Sequence, residues 1–126
     1  MDKKGIAEVV QIYFDACYEG NREKMDRVFR PEAHIYGMME GDSALTDTPR
    51  DEFVDRLGRN RQSSNNDWER RDEIHLIEFT SEHTAVAKVS LLLRNTLFND
   101  LLIFVNRDGE WRVISKMYHG QDYKKS

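Results

Sequence analysis

The dipeptide Asp108-Gly109 constrains this chain more than any other feature. Aspartate followed by glycine suits a two-residue type I′ turn, in which both central residues take positive φ, so the runs on either side must fold back on each other as a hairpin. Three more runs of the same kind precede the last one: EIHLIEFT, TAVAKVSLLLRN and TLFNDLLIFVNRDG lead to EWRVISKMYH, with short turns between. Four β-rich runs in succession predict an antiparallel meander.

The first half has a different period. From Gly5 to Glu19, Ile6, Val9, Val10, Tyr13, Phe14 and Cys17 recur at spacings of three and four, with Glu8, Gln11, Asp15 and Glu19 opposite, the pattern of an amphipathic helix. Gly20 stops it. Asn21 can cap a second helix carrying Met25, Val28 and Phe29, which Pro31 prevents from continuing. AHIYGMM (33–39) is a short β-rich run, and Thr48-Pro49 with Asp51 reads as the start of a third helix whose buried edge is Phe53, Val54 and Leu57. Residues 59–67 contain no apolar side chain and are expected to form an exposed loop. Helices first and strands afterwards make the fold class α+β, with three N-terminal-half helices on one face of a curved antiparallel sheet. A single domain over residues 1–119 and a polar tail over 120–126 account for the chain.

Strand facing follows from the turn. With Arg107 opposite Glu110, one face collects Leu101, Ile103, Val105, Arg112, Ile114, Lys116 and Tyr118. The other collects Phe98, Asp100, Leu102, Phe104, Trp111, Val113, Met117 and His119. Both are largely apolar, so both need a cover. The helices cover one, and a second copy in a twofold dimer is expected on the other, with Trp111, Val113, Met117, Asp100 and Phe104 as interface candidates. The helix-covered face is taken to be the one carrying Lys116. Its pocket candidates are Lys116, Tyr13, Tyr118, Ile103, Leu101, Ile114 and Ile35, joined by Lys88 if the preceding hairpin turns near Asn95 and Thr96, with Arg71 a further cation. Ammonium groups in an otherwise apolar pocket favour a small, partly apolar anion. On that reading Lys116→Met leaves folding intact.

A net charge of −4 disfavours a nucleic-acid surface. One cysteine, Cys17, excludes an internal disulfide, and no run is apolar enough for a signal peptide or a membrane span, so the cytoplasm is the expected compartment. The four histidines have no ligand-pair spacing, so no metal is expected, and no motif for a cofactor is present.

FDACYEGNREKMDRVFRPEAHIYG, AVAKV, FNDLLIFV and DGEWRVISK resemble, in order, the nuclear transport factor 2-like fold. Within it they are most similar to the "putative lumazine-binding" group, related to SnoaL-like polyketide cyclases and ketosteroid isomerases. The resemblance implies a cone-like curved sheet with the helices on its concave face, a cystatin-like roll, enclosing a pocket and usually dimeric. Steroid isomerases of this fold use a tyrosine, a catalytic base and a second acid. Tyr13 matches the first, but the other two positions fall at Gly37 and Ile103, which argues against that reaction. Three readings therefore stand: a small-molecule-binding protein, a cofactor-independent lyase or isomerase, and a dimeric association module.

Overall fold

The computed structural model describes residues 2–62 and 68–123. Helix α1 (Lys4–Glu19) ends where Gly20 adopts φ 66°, and the Asn21 amide then donates back to the Ala16 carbonyl at 3.0 Å. The Asn21 side chain accepts from the Lys24 amide at 3.1 Å and starts α2 (Arg22–Val28). Strand β1 (Phe29–Met39) follows directly, then β2 (Thr46–Pro49), α3 (Arg50–Gln62), β3 (Glu73–Ser81), β4 (Thr84–Leu93), β5 (Thr96–Arg107) and β6 (Glu110–Asp122). No helix among the described residues is long and apolar enough to cross a membrane.

The six strands form one curved, unclosed sheet in the order β2-β1-β6-β5-β4-β3, with the three helices packed against it. Strands β3 to β6 are the expected meander. The sheet is mixed because β1 runs parallel to β6, while β2 pairs antiparallel with β1 at the edge. Asp108 and Gly109 have φ of 56° and 80°, as a type I′ turn requires.

Four boundaries differ from the sequence reading. Thr46–Pro49 pairs with His34–Gly37 as an edge strand, and α3 begins only at Arg50. An edge strand tolerates the proline, which has no N–H to give a ladder. Helix α3 continues through Gln62, so part of the expected loop is helical and its remainder, 63–67, lies outside the described residues. Strand β1 starts at Phe29 rather than Ala33. Gly120, Gln121 and Asp122 are not a tail: they pair with Phe98, Leu97 and Thr96 and lengthen β6.

The most consequential difference is a β-bulge. Phe104 faces Val113, but Ile103 faces Ser115, so β6 carries one extra residue, Ile114. Beyond that point every side chain of β6 changes face. The inner face is built of cross-strand rows: Ala85–Phe104–Val113–Phe29, then Ala87–Leu102–Lys116–Ile35, then Val89–Asp100–Tyr118–Gly37. Most of these are fully buried against Ile6, Val10, Tyr13 and Phe14 of α1 and Phe53 and Val54 of α3. The outer face carries Leu76, Lys88, Leu101 and Met117 in one row and Val86, Ile103 and Ser115 in another.

Candidate functional site

A cavity of about 220 Å³ lies between α1, α3 and the inner face of β4 to β6. Its floor is made of buried Tyr13, Cys17, Leu91, Asp100 and Lys116, and its walls include Phe53, Phe98 and Tyr118. Half-buried or exposed Arg56, Asn60, Trp68, Arg94 and Thr96 form the mouth.

The floor is a polar triad in an apolar setting. Tyr13 projects from α1, held by an edge-on contact with Phe29 at 6.0 Å between ring centroids, and its hydroxyl donates to Asp100 Oδ2 at 2.5 Å. The Lys116 ammonium stands 3.8 Å from the same oxygen. It donates no hydrogen bond among the described residues, and instead faces the rings of Phe53 at 4.3 Å, Tyr13 at 5.0 Å and Tyr118 at 5.4 Å. Aromatic faces carry negative quadrupole density, so the ammonium is stabilised there without losing its donors to the protein. Asp100 Oδ1 is buried and accepts no hydrogen bond among the described residues.

Burial sets the protonation of this group. It pushes the Asp100 carboxyl above the usual carboxylate range, against the opposite pull of Lys116 and of the Tyr13 hydroxyl. It pushes the Tyr13 phenol well above its ordinary range, and the neighbouring carboxylate adds to the effect. The Cys17 thiol is pushed up to about 12 by burial, although Lys116 pulls it down, so it is no nucleophile near neutral pH.

At the mouth, Arg61 lies 4.1 Å from the Trp68 ring and 5.0 Å from that of Tyr18, while Arg70 lies 4.9 Å from Tyr18 and pairs with Asp15 and Asp72. This stack ties Trp68 to α1. Arg56, from α3, and Arg94, from the β4–β5 turn, have no carboxylate partner among the described residues.

The structure brings Lys116, Tyr13 and Tyr118 together at one cavity, and places Ile35 beside Lys116 in the core. It does not bring the other pocket candidates there. Leu101 and Ile103 are on the outer face, 37% and 38% exposed, and Ile114 is the bulged residue, half-buried and off the cavity. Lys88 shares the face of Leu101 and Ile103 as expected, yet that face is the outer one, and Lys88 is exposed. Arg71 is exposed and paired with Glu69. The interface candidates divide likewise. Asp100 lines the cavity, Phe104 and Val113 are core, and Trp111 lies under α1 against Gly5, leaving only Met117 on the outer face, 51% exposed.

One cause explains these corrections: alternation was carried through the bulge, so Lys116 drew its outer-face neighbours into the pocket and sent Asp100 out of it. Phe53, Trp68, Arg56 and Arg94 were missed because helix and turn residues carry no register from which to place them. His34 pairs with Asp47 at 2.6 Å and His75 with Ser90 at 2.7 Å, and among the described residues no group of three histidine, cysteine or acidic side chains could hold a metal.

Comparison with known proteins agrees with this architecture. The family described as "Putative lumazine-binding" matches residues 1–119. An NTF-2 like protein of unknown function from Silicibacter pomeroyi superposes with a TM-score of 0.80 at 23% identity, over 93% of each chain. One from Methylobacillus flagellatus does so with a TM-score of 0.77 at 26% identity, over 93% of this chain and 90% of the other. An uncharacterised protein with a cystatin-like fold from Caulobacter vibrioides gives 0.69 at 20% identity, over 94% and 88%. No curated protein matches.

Proposed function

Because the chain belongs to the "Putative lumazine-binding" family, we propose that it is a small-molecule-binding protein whose cavity takes a partly apolar, anionic ligand. The observation that carries a bound small molecule is Lys116, while the anionic character rests on Arg56 and Arg94 at the mouth, which have no carboxylate partner among the described residues. A lysine only 5% exposed, ringed by three aromatic faces and keeping its hydrogen-bond donors free, is an arrangement that stability alone does not favour. It is explained if a ligand supplies the acceptor. The surrounding Phe53, Trp68, Phe98 and Tyr118 supply the apolar contact typical of small-molecule sites.

Of the other readings, an association module needs no cavity, whereas this one is wide enough for a ring. Steroid isomerisation finds no base: a Cβ at Gly37 would lie 2.0 Å from the Tyr118 ring, leaving no room for a carboxylate, and Ile103 points outward. The test is native mass spectrometry of protein purified gently from its own host. A reproducible extra mass, absent when the wall is filled by Leu57→Trp, is expected. The same mass retained in that variant would place the ligand elsewhere.

The proposal extends to assembly in the cytoplasm as a twofold dimer through the outer sheet face. Leu76, Leu101, Ile103 and Met117 are exposed there, and Lys88 and Glu78 balance its charge, so the face can meet a second copy without like charges opposed. Met117→Lys is expected to give a folded monomer in analytical ultracentrifugation. A wild-type monomer at high micromolar concentration would refute the assembly.

A further inference from the structure

We propose that the ligand is a flat acid of one or two rings that binds in one orientation, with its anionic group at the mouth on Arg56 and Arg94 and an uncharged hydrogen-bonding edge on Asp100 and Lys116. This rests on the small-molecule reading above and adds which end enters first.

The two ends of the cavity differ in charge. At the floor the Lys116 ammonium has a carboxylate 3.8 Å away, so the pair is balanced before anything binds. An entering anion that approached Lys116 would also approach Asp100, and buried like charges repel strongly. An edge that both accepts and donates fits instead. It accepts from Lys116, whose donors are unused, and donates to Asp100, whose Oδ1 is buried without a partner. A phenol hydroxyl or a ring amide has this character.

The mouth is the opposite case. Arg56 and Arg94 reach it from different elements, and neither has a carboxylate partner among the described residues. Two unpaired guanidinium groups suit a carboxylate or phosphate. The backbone adds an independent observation. Arg94 takes φ 57°, a left-handed conformation that glycine or asparagine adopts readily and arginine does not, although Asn95 is the next residue. Uncommon backbone conformations of this kind cluster at ligand-binding and active sites.

Size limits the class. A cavity of roughly 150 Å³ accepts a benzene ring. At about 220 Å³ this one takes one ring with its substituents, or a compact bicycle, its acid protruding to the arginines.

The experiment is a calorimetric titration with three matched probes: para-hydroxycinnamate, which has both ends; cinnamate, which has only the acid; and para-cresol, which has only the hydroxyl. The proteins are the wild type, Arg56→Gln/Arg94→Gln and Asp100→Asn/Lys116→Met. On the wild type, para-hydroxycinnamate is expected to bind best. The mouth variant weakens both acids about tenfold or more and leaves para-cresol unchanged. The floor variant weakens para-hydroxycinnamate and para-cresol, with cinnamate least affected. Arg94→Gly separates function from structure, because it relieves the turn and is expected to raise Tm while weakening the acids. If the acids ignore the mouth variant and are lost in the floor variant, the orientation is wrong and the pocket reading stands. If none of the three binds at millimolar concentration, the pocket reading fails with it.

Discussion

Replacing Lys116 by methionine removes the ammonium and leaves Asp100 as a buried carboxylate whose one remaining partner is the Tyr13 hydroxyl. At 3.8 Å the lost attraction is about 4 kcal/mol for an effective dielectric constant near 20, within the range of about 3–5 kcal/mol for breaking a buried pair from one side. With an unfolding entropy of about 2 cal/mol/K per residue over 126 residues, that lowers Tm by roughly 15 °C. This reverses the expectation from sequence that the substitution leaves folding intact, because the carboxylate was then assigned to the other face. Asp100→Asn/Lys116→Met removes both charges and is expected to return to within about 1 kcal/mol of the wild type. Urea unfolding of the four proteins of the cycle near pH 7 measures the coupling directly. Acidity provides a check on sign. The folded pKa of Asp100 is raised, so the native state holds a proton that the unfolded chain has lost, and stability falls as pH rises from the ordinary carboxylate range through the folded value. Without Lys116 the folded value rises further, so the deficit of the single variant should shrink on acidification. A coupling below about 1 kcal/mol, or a deficit that grows as pH falls, would refute the ion-pair argument.

Three other outcomes follow from the same geometry. Tyr13 has a raised folded pKa, so its contribution to stability is present below the ordinary tyrosine range and is lost as pH rises through the folded value. An ultraviolet titration should show one of the five tyrosines ionising only as the protein unfolds in alkali, and five normal titrations in the folded protein would contradict this. The Cys17 thiol, 1% exposed and pushed up to about 12, should resist a disulfide reagent near pH 8 until denaturant is added; labelling at the rate of a free thiol would show the site opens readily. Gly37→Ala places a methyl group 2.0 Å from the Tyr118 ring and should cost about 1–3 kcal/mol in urea unfolding while lowering affinity for para-cresol, because that ring lines the cavity and must shift.

The elements were legible because their signals are local. Gly20 and Asn21 end one helix and start the next, and Asp108-Gly109 sets a turn with two positive φ values, each through the chemistry of one or two residues. The faces of β5 were legible too, since Phe98, Asp100, Leu102 and Phe104 alternate without interruption. Which of those faces the helices cover was not. That depended on β6, where the adjacent apolar pair Val113 and Ile114 breaks the alternation and marks the bulge, with no glycine to announce it. The parallel pairing of β1 with β6 had no sequence signal, because such pairing is formed by tertiary contact and not by a turn. Two members of the triad were therefore found and one displaced: Lys116 and Tyr13 stood among the pocket candidates, and Asp100 did not.

That extra residue in β6 has a consequence for how this protein can change. Deleting Ile114 alone would remove the bulge and leave the other pairings of β5 with β6 as they are, with Val113 and Lys116 inward and Ser115 and Met117 outward. A single-codon loss at this point would thus keep the cation in the cavity, and relatives with and without the extra residue can share one inward set of side chains. Alignments of such chains that allow no gap at this point will match inward residues to outward ones from there to the end of the strand.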